Sequence, residues 1–162
     1  MHARTATTAD ADSVARIYNA GIEERVATFE TRHRTPEDVR PILDGSHPAV
    51  VVVEDDAVLT FAWTSPYSPR DCYAGVADFS VYTDPEARSR GAGRLAMESL
   101  MDEARDRGFW KLVSKVFVEN TPSLDLLRSL GFREVGVHHK HARLDGAWRD
   151  VVVVEILLRE NL

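Results

Sequence analysis

The stretch PEARSRGAGRLA, residues 85 to 96, sets Gly91 and Gly93 one residue apart among Arg88, Arg90 and Arg94. Glycines let backbone N–H groups come close to a ligand, and a helix opening there aims the positive end of its dipole at the same point. With three guanidinium groups alongside, this is chemistry for holding a small phosphate-bearing molecule. The plainer reading, two ordinary loop glycines and solvated arginines, stands beside it, since a lone Gly-x-Gly is a weak signal. GAGRLA also satisfies the dinucleotide pattern Gly-x-Gly-x-x-Ala, with Glu119 at the end of the next strand-like run to meet a ribose hydroxyl. Against that, DPEARSR separates the first glycine from its strand, and no second three-stranded half follows. A GTPase-type phosphate loop fails because no Gly-Lys-Ser/Thr follows.

Other reactive side chains carry less. His139 and His141 share one face of an extended segment, with His138 beside them, but a third ligand or a carboxylate at metal-binding spacing is missing. They read as solvated strand histidines, and no metal is expected. Cys72 is the one cysteine, so an intramolecular disulfide is excluded. It reads as a small buried or half-buried residue, not a nucleophile.

The elements that position the loop alternate along the chain. A short strand around Ala3 to Thr5 precedes a helix capped by Thr8 or Asp10, whose Val14, Ile17, Tyr18 and Ile22 recur at helical steps. Thr35, Pro36, Glu37 and Asp38 open a second, short helix that ends near Gly45. Residues 49 to 54 and 57 to 64 are strand-like runs around Asp55-Asp56, a hairpin signal without the favoured glycine. A third long strand spans 75 to 83. The next helix starts near Arg94, shows Met97, Leu100, Met101 and Ala104 on one face, and stops at Gly108. KLVSKVFVE follows as a strand, then a helix opened by Thr121-Pro122 with Leu124, Leu127 and Leu130 inside and Gly131 as its stop. The tail forms two strands around Asp145-Gly146. Strand, helix and strand in the middle imply a parallel pair, so the expected class is α/β, a mixed sheet with hairpins at both ends.

Composition bounds the rest. A chain of 162 residues, 44% apolar and 28% charged, fits one domain spanning 1–162. A net charge of −6 disfavours nucleic acid and acidic membrane as partners, leaving a small anion as the ligand. No run has signal-peptide or membrane-span length, and a cytoplasmic location is expected.

The loop and element order together resemble the GNAT superfamily of acetyl-CoA-dependent N-acetyltransferases. Its Arg/Gln-x-x-Gly-x-Gly/Ala signature appears as Arg88-Ser-Arg-Gly91-Ala-Gly93, and the resemblance covers essentially the whole chain. It implies a GNAT fold: antiparallel N-terminal strands, a splayed parallel pair at the cofactor site and a C-terminal hairpin, flanked by helices. The segments IYNAGIEERVATFETR, SPYSPRDCYAGVADFSVYTDPEARSRGAGR, ENTPSLDLLRSLGFREVG and LDGAWRDV are similar to the phosphinothricin N-acetyltransferase branch, which includes methionine sulfoximine, methionine sulfone and arsinothricin acetyltransferases.

The resemblance implies site residues. Asp78, where the family commonly has glutamate, matches the strand carboxylate that serves as general base; a polar residue on an exposed strand face is the alternative. Arg70 matches a substrate-binding arginine, whose planar fork suits paired anionic oxygens, or is a solvated loop cation. Tyr73 and Phe29 match aromatics near the bound amino acid, or are a strand-start anchor and a core residue. Acetyl-CoA would be held by backbone groups of Val81, Tyr82 and Thr83, by the loop Arg88, Arg90, Gly91, Ala92, Gly93 and Arg94, and by Asn120 and Ser123; Asn120 equally reads as a helix cap. A backbone amide near Val81 would stabilise the oxyanion. The position of the branch's histidine acid is Leu127, so no acid for the departing thiolate is named. Trp148, beside the terminal turn, reads as a packing residue at the substrate mouth. The family is usually dimeric. A non-catalytic acetyl-CoA sensor and, further off, a dinucleotide oxidoreductase remain as alternatives.

Overall fold

The run AVVVVE carries valine at four consecutive positions, and a strand apolar on both faces must lie between two layers. The computed structural model, which describes residues 1–162, places it as β2 (Ala49–Glu54), with its first five residues buried. β1 (His2–Thr5) pairs with it on one side and β3 (Ala57–Pro66) on the other, both antiparallel. Asp55 and Asp56, at φ 49° and 65°, make the tight primed turn without a glycine.

Seven strands form one sheet in the order β1-β2-β3-β4-β5-β7-β6. β4 is Val76–Thr83, β5 Lys111–Phe117, β6 Arg133–Leu144 and β7 Ala147–Leu157. Only β4 and β5 are parallel, and their pairing covers three residues on each strand, Val76 to Asp78 against Lys111 to Val113. This is the mixed α/β architecture expected from the sequence.

The helices form two layers. α3 (Ala92–Asp106) and α4 (Thr121–Ser129) cover one face through Ala96, Met97, Leu100 and Leu127, against Phe79, Leu112 and Val154 of the sheet. α1 (Ala11–Glu24) and α2 (Pro36–Val39) cover the opposite face, where Val14, Ile17 and Val39 meet Val51 and Phe61. The C-terminal strands carry only a small cluster on that face, Phe117, Leu144 and Val151 with Phe29 against it. β6 is exposed along almost its whole length.

Local signals explain most boundaries. Thr35 Oγ1 accepts from Asp38 N–H at 3.3 Å, and the Asp38 carboxylate accepts from Thr35 N–H at 2.9 Å, a reciprocal cap for α2. Three expectations need correction. Neither Thr8 nor Asp10 caps α1 through its side chain: Thr8 begins a short 3-10 turn, and the Asp10 carboxylate accepts from Thr7 N–H and Arg4. α3 starts at Ala92, before Arg94, because Gly91 at φ 85° turns the chain directly into it. β5 ends at Phe117, short of Glu119, because Asn120 N–H bonds back to Phe117 C=O at 2.9 Å.

Candidate active site

Parallel strands that stop pairing must leave backbone groups unsatisfied or offer them to something else. Beyond Asp78, β4 and β5 diverge, and the first group after the divergence is already used: Phe79 C=O accepts from Ser114 Oγ at 2.9 Å. Residues two apart on a strand point their N–H and C=O groups to the same side. Val81 therefore aims its peptide groups into the wedge between β4 and β5, as Phe79 does, while by the same alternation those of Ser80 face β3. A wedge of this kind accepts an extended chain as an additional strand.

A cleft of about 550 Å³ opens beside the wedge. Its walls include Val81, Tyr82 and Thr83 from β4, Arg88 with Gly91 to Arg94 from the loop and first turn of α3, and Asn120 and Ser123 at the start of α4. A smaller inner pocket, lined by Phe79, Ser80, Ser114 and Lys115 among others, shares Ala27, Val81, Tyr82, Asn120 and Ser123 with the cleft. The two spaces therefore adjoin, one at the loop end of β4 and the other in the wedge.

The loop end is suited to anions. Gly91 precedes α3 with no side-chain cap, so the first-turn N–H groups lack a helical acceptor where the helix dipole is positive. At φ 85° Gly91 adopts the left-handed backbone that glycine tolerates, and a Cβ there would point into open space. Gly93 is different: a Cβ would lie 3.4 Å from Leu126 and 3.5 Å from Thr83 Oγ1, in the gap between α3, α4 and β4.

The three arginines have separate surroundings. Arg88 is held by Glu24 at the end of α1 through both guanidinium nitrogens, and both residues line the cleft. Arg94 reaches Glu98 at 2.9 Å and Ser129 Oγ at 3.1 Å and also lines it. Arg90 does not: its guanidinium pairs with Glu54 at the end of β2, away from the cleft walls. Asn120 has both positions open to it in the sequence, since it lines the cleft while its side chain accepts from Ser123 N–H at 3.4 Å as the α4 cap.

Asp78 is the last β4 residue paired with β5. It is half-buried, and burial pushes its carboxyl above the ordinary carboxylate range while the positive charge of Lys115 pulls it part of the way back. Asp78 itself lines neither the cleft nor the inner pocket, whose wall on β4 begins at the next residue, Phe79; a raised carboxylate in that position is suited to taking a proton. Tyr82 is held above the usual phenol range chiefly by burial, so its hydroxyl stays protonated.

The other acceptor-side residues fall into two groups. Arg70 and Tyr73 come together in the connection before β4, with the guanidinium 5.8 Å from the Tyr73 ring centre and Tyr67 edge-on to Tyr73 at 5.5 Å. Phe29 lies instead against Phe117, with ring centres 4.7 Å apart, next to Leu144 and Val151. None of the three lines the cleft or the inner pocket.

Three expectations outside the loop change. Cys72 is exposed, because it sits in the 3-10 turn Asp71–Tyr73. Trp148 is 50% exposed and packs mainly under Arg143, whose guanidinium lies 4.4 Å from the ring centre. His139 and His141 do not share a face: Lys140, at φ 50°, forms a bulge opposite Asp150 that stacks His138 on His141 at 4.8 Å and turns His139 toward Asp150 at 3.3 Å. No group of three His, Cys, Asp or Glu side chains is arranged to hold a metal ion, and no helix is long and apolar enough to cross a membrane.

Sequence reasoning missed three participants. Lys115 was not singled out, although the alternation KLVSKVF places it on the Asp78 face. Glu24 gave no signal, since its contact with Arg88 spans 64 residues. Gly21 was not singled out, although it lies inside α1 and an added Cβ would come within 2.7 Å of the Tyr82 ring.

Known proteins share this arrangement. Residues 14–132 match the acetyltransferase (GNAT) family. The chain is 32% identical over 146 residues to the phosphinothricin N-acetyltransferase of Streptomyces coelicolor, covering 86% of this chain and 85% of that one. It is 28% identical to the L-methionine sulfoximine/L-methionine sulfone acetyltransferase of Salmonella typhimurium, covering 99% and 96%. The crystal structure of a phosphinothricin acetyltransferase from Sinorhizobium meliloti in complex with acetyl-CoA superimposes with a TM-score of 0.88 at 26% identity, over 96% of this chain and 86% of that one. With its wedge between β4 and β5 and its glycine loop opening α3, the chain belongs to the GNAT family of acetyl-CoA-dependent N-acetyltransferases.

Proposed function

We propose that the protein acetylates the α-amino group of a small amino acid whose side chain ends in a tetrahedral or carboxylate anion, of the phosphinothricin, arsinothricin, methionine sulfoximine or methionine sulfone class, and thereby confers resistance to such compounds. The single observation that carries this reading is the half-buried, raised carboxylate of Asp78, the last β4 residue paired with β5 before the wedge opens. The relatives named for phosphinothricin and methionine sulfoximine support the acceptor class.

In this reading the cleft holds acetyl-CoA. The first-turn N–H groups of α3, with Arg88 and Arg94, receive the pyrophosphate, and Val81 to Thr83 pair with the pantetheine arm. The thioester then reaches the wedge. Asp78 takes the proton that the acceptor ammonium must lose, directly or through one water, since aspartate is a methylene shorter than glutamate. The neutral amine attacks the thioester carbon, the new C–N bond forms, the C–S bond breaks, and the coenzyme leaves as its thiolate while the second proton of the nitrogen passes to solvent. Val81 N–H, directed into the wedge, stabilises the oxyanion. Leu127 is wholly buried and offers no proton, and a thiol is acidic enough for the thiolate to depart without a donor.

Arg70 and Tyr73 are assigned to the acceptor's side-chain anion and Phe29 to its surroundings, all three outside the cleft and the inner pocket. The exposed β6 strand fits a homodimer in which a second chain completes the pocket, and dependence on acetyl-CoA fits a cytoplasmic setting. The test is release of free thiol from acetyl-CoA with phosphinothricin, arsinothricin, methionine sulfoximine, methionine sulfone, glutamate, a polyamine and an aminoglycoside. Turnover confined to the amino-acid analogues is expected. Coenzyme binding with no turnover on any of them would favour a sensor instead.

A further inference from the structure

Lys115 makes no direct ion pair. Its cross-strand neighbours on β7 and β6 are Val153 and Gly136, and its ammonium enters no ion pair or hydrogen bond within the chain. The other lysine of the same strand face, Lys111, is answered by Glu155 at 3.4 Å, and Arg133 meets the same carboxylate at 3.5 Å. Lys115 lies two residues beyond Val113, the partner of Asp78, and therefore on the same face as Asp78. It also lines the inner pocket with Ser80 and Ser114, where the amine must arrive. A cation and a carboxylate on one strand face, close enough to influence each other but not paired in contact, present opposite charges to whatever enters between them.

A free amino acid carries the complementary pair, an ammonium and a carboxylate on one carbon. We infer that Lys115 binds the α-carboxylate of the acceptor while Asp78 receives its ammonium, so that this site selects zwitterionic amino acids over simple amines and amino-acid amides. The inference rests on the proposed acetylation of an amino acid and adds the residue that reads its carboxylate. Arg70, in a different segment, is then left for the side-chain anion.

The experiment compares methionine sulfone with its α-carboxamide as acceptors for the wild type, Lys115→Met and Lys115→Arg. The wild type is expected to favour the acid. Lys115→Met should lose roughly 10- to 100-fold in kcat/KM for the acid, mainly through KM, as when a charge-assisted hydrogen bond is removed, while the carboxamide rate stays within a few-fold. Lys115→Arg should recover part of the loss, and acetyl-CoA binding followed by tryptophan fluorescence should stay unchanged in both. Equal losses for acid and amide, or a preference for the acid that survives Lys115→Met, would overturn the inference while leaving the acetylation reading intact. A wild type that acetylates the polyamine but neither methionine sulfone nor any other amino acid would overturn that reading, and this inference with it.

Discussion

The coenzyme side and the acceptor side of this molecule are built in different ways. The proposed coenzyme side comes mainly from one continuous segment, β4 through the first turn of α3, closed by the start of α4, and the groups proposed to work there are largely backbone. The acceptor side is a set of side chains drawn from α1's exit, the connection before β4, β4 itself and β5, with Phe29 and Arg70 in separate clusters. Backbone groups are placed by the fold, so on this reading the splay and the glycine turn carry most of the proposed coenzyme site. Side chains can be exchanged without disturbing the sheet. On the proposed assignment the construction ties the donor to the fold and leaves the acceptor to exchangeable side chains.

The largest effect should come where the two sides meet. Asp78→Asn is expected to reduce kcat by roughly 10²- to 10⁴-fold, the contribution of a positioned base, with acetyl-CoA affinity unchanged by fluorescence titration. An unchanged rate would remove Asp78 from the chemistry. The same variant has a stability signature of opposite sense. Burial raises the native carboxyl, so the charged form is disfavoured in the folded state and its penalty is present above that raised value. Near neutral pH the variant should unfold at the same or a higher temperature than the wild type. The gap should close as the pH falls below the ordinary carboxylate value.

A smaller shift tests the cation beside that base. Lys115 holds the Asp78 carboxyl down against burial, so Lys115→Met should move the acid limb of kcat/KM for the carboxamide acceptor to higher pH. An acid limb that does not move would separate the two residues electrostatically. On the coenzyme side, Gly21→Ala should push the Tyr82 ring toward the cleft that both residues line, at a cost of about 1–3 kcal/mol for overpacking. The expected result is a higher KM for acetyl-CoA and little change in selectivity between acceptors, which initial rates at saturating acceptor would show.

The smallest effect should be at Arg90. It sits inside the glycine loop yet pairs with Glu54, so Arg90→Ala should leave acetyl-CoA affinity within about twofold, as for an exposed ion pair. A large loss would mean that Arg90 turns into the cleft on binding and that the loop is less fixed than its backbone suggests.

The same contrast governs what could be read from the sequence. The paired valine runs, the strand before the loop, the glycine turn and the helix after it follow from periodicity and punctuation within short windows; that β7 and not β6 lies against β5 does not follow from their succession. Errors in the fold were local: Gly91 began α3 earlier than the apolar face implied, and Lys140 broke the alternation that would have put His139 and His141 together. The loop contacts were legible as a class but not individually. Nothing in PEARSRGAGRLA says that Arg88 turns to Glu24 and Arg90 to Glu54, because those partners are 64 and 36 residues away. The acceptor side was least legible, since Arg70, Tyr73 and Phe29 were reached by resemblance and Lys115 became visible only once β5 was set in register with β4.

Direct transfer across the wedge, with the thioester on one side and the amine beside Asp78 on the other, is the central claim. It is tested by initial rates at varied acetyl-CoA against several fixed concentrations of methionine sulfone. Intersecting double-reciprocal lines are expected, because both substrates must be present before the acetyl group moves. Parallel lines, together with an acetylated protein isolated in the absence of acceptor, would show a covalent intermediate and contradict the direct attack.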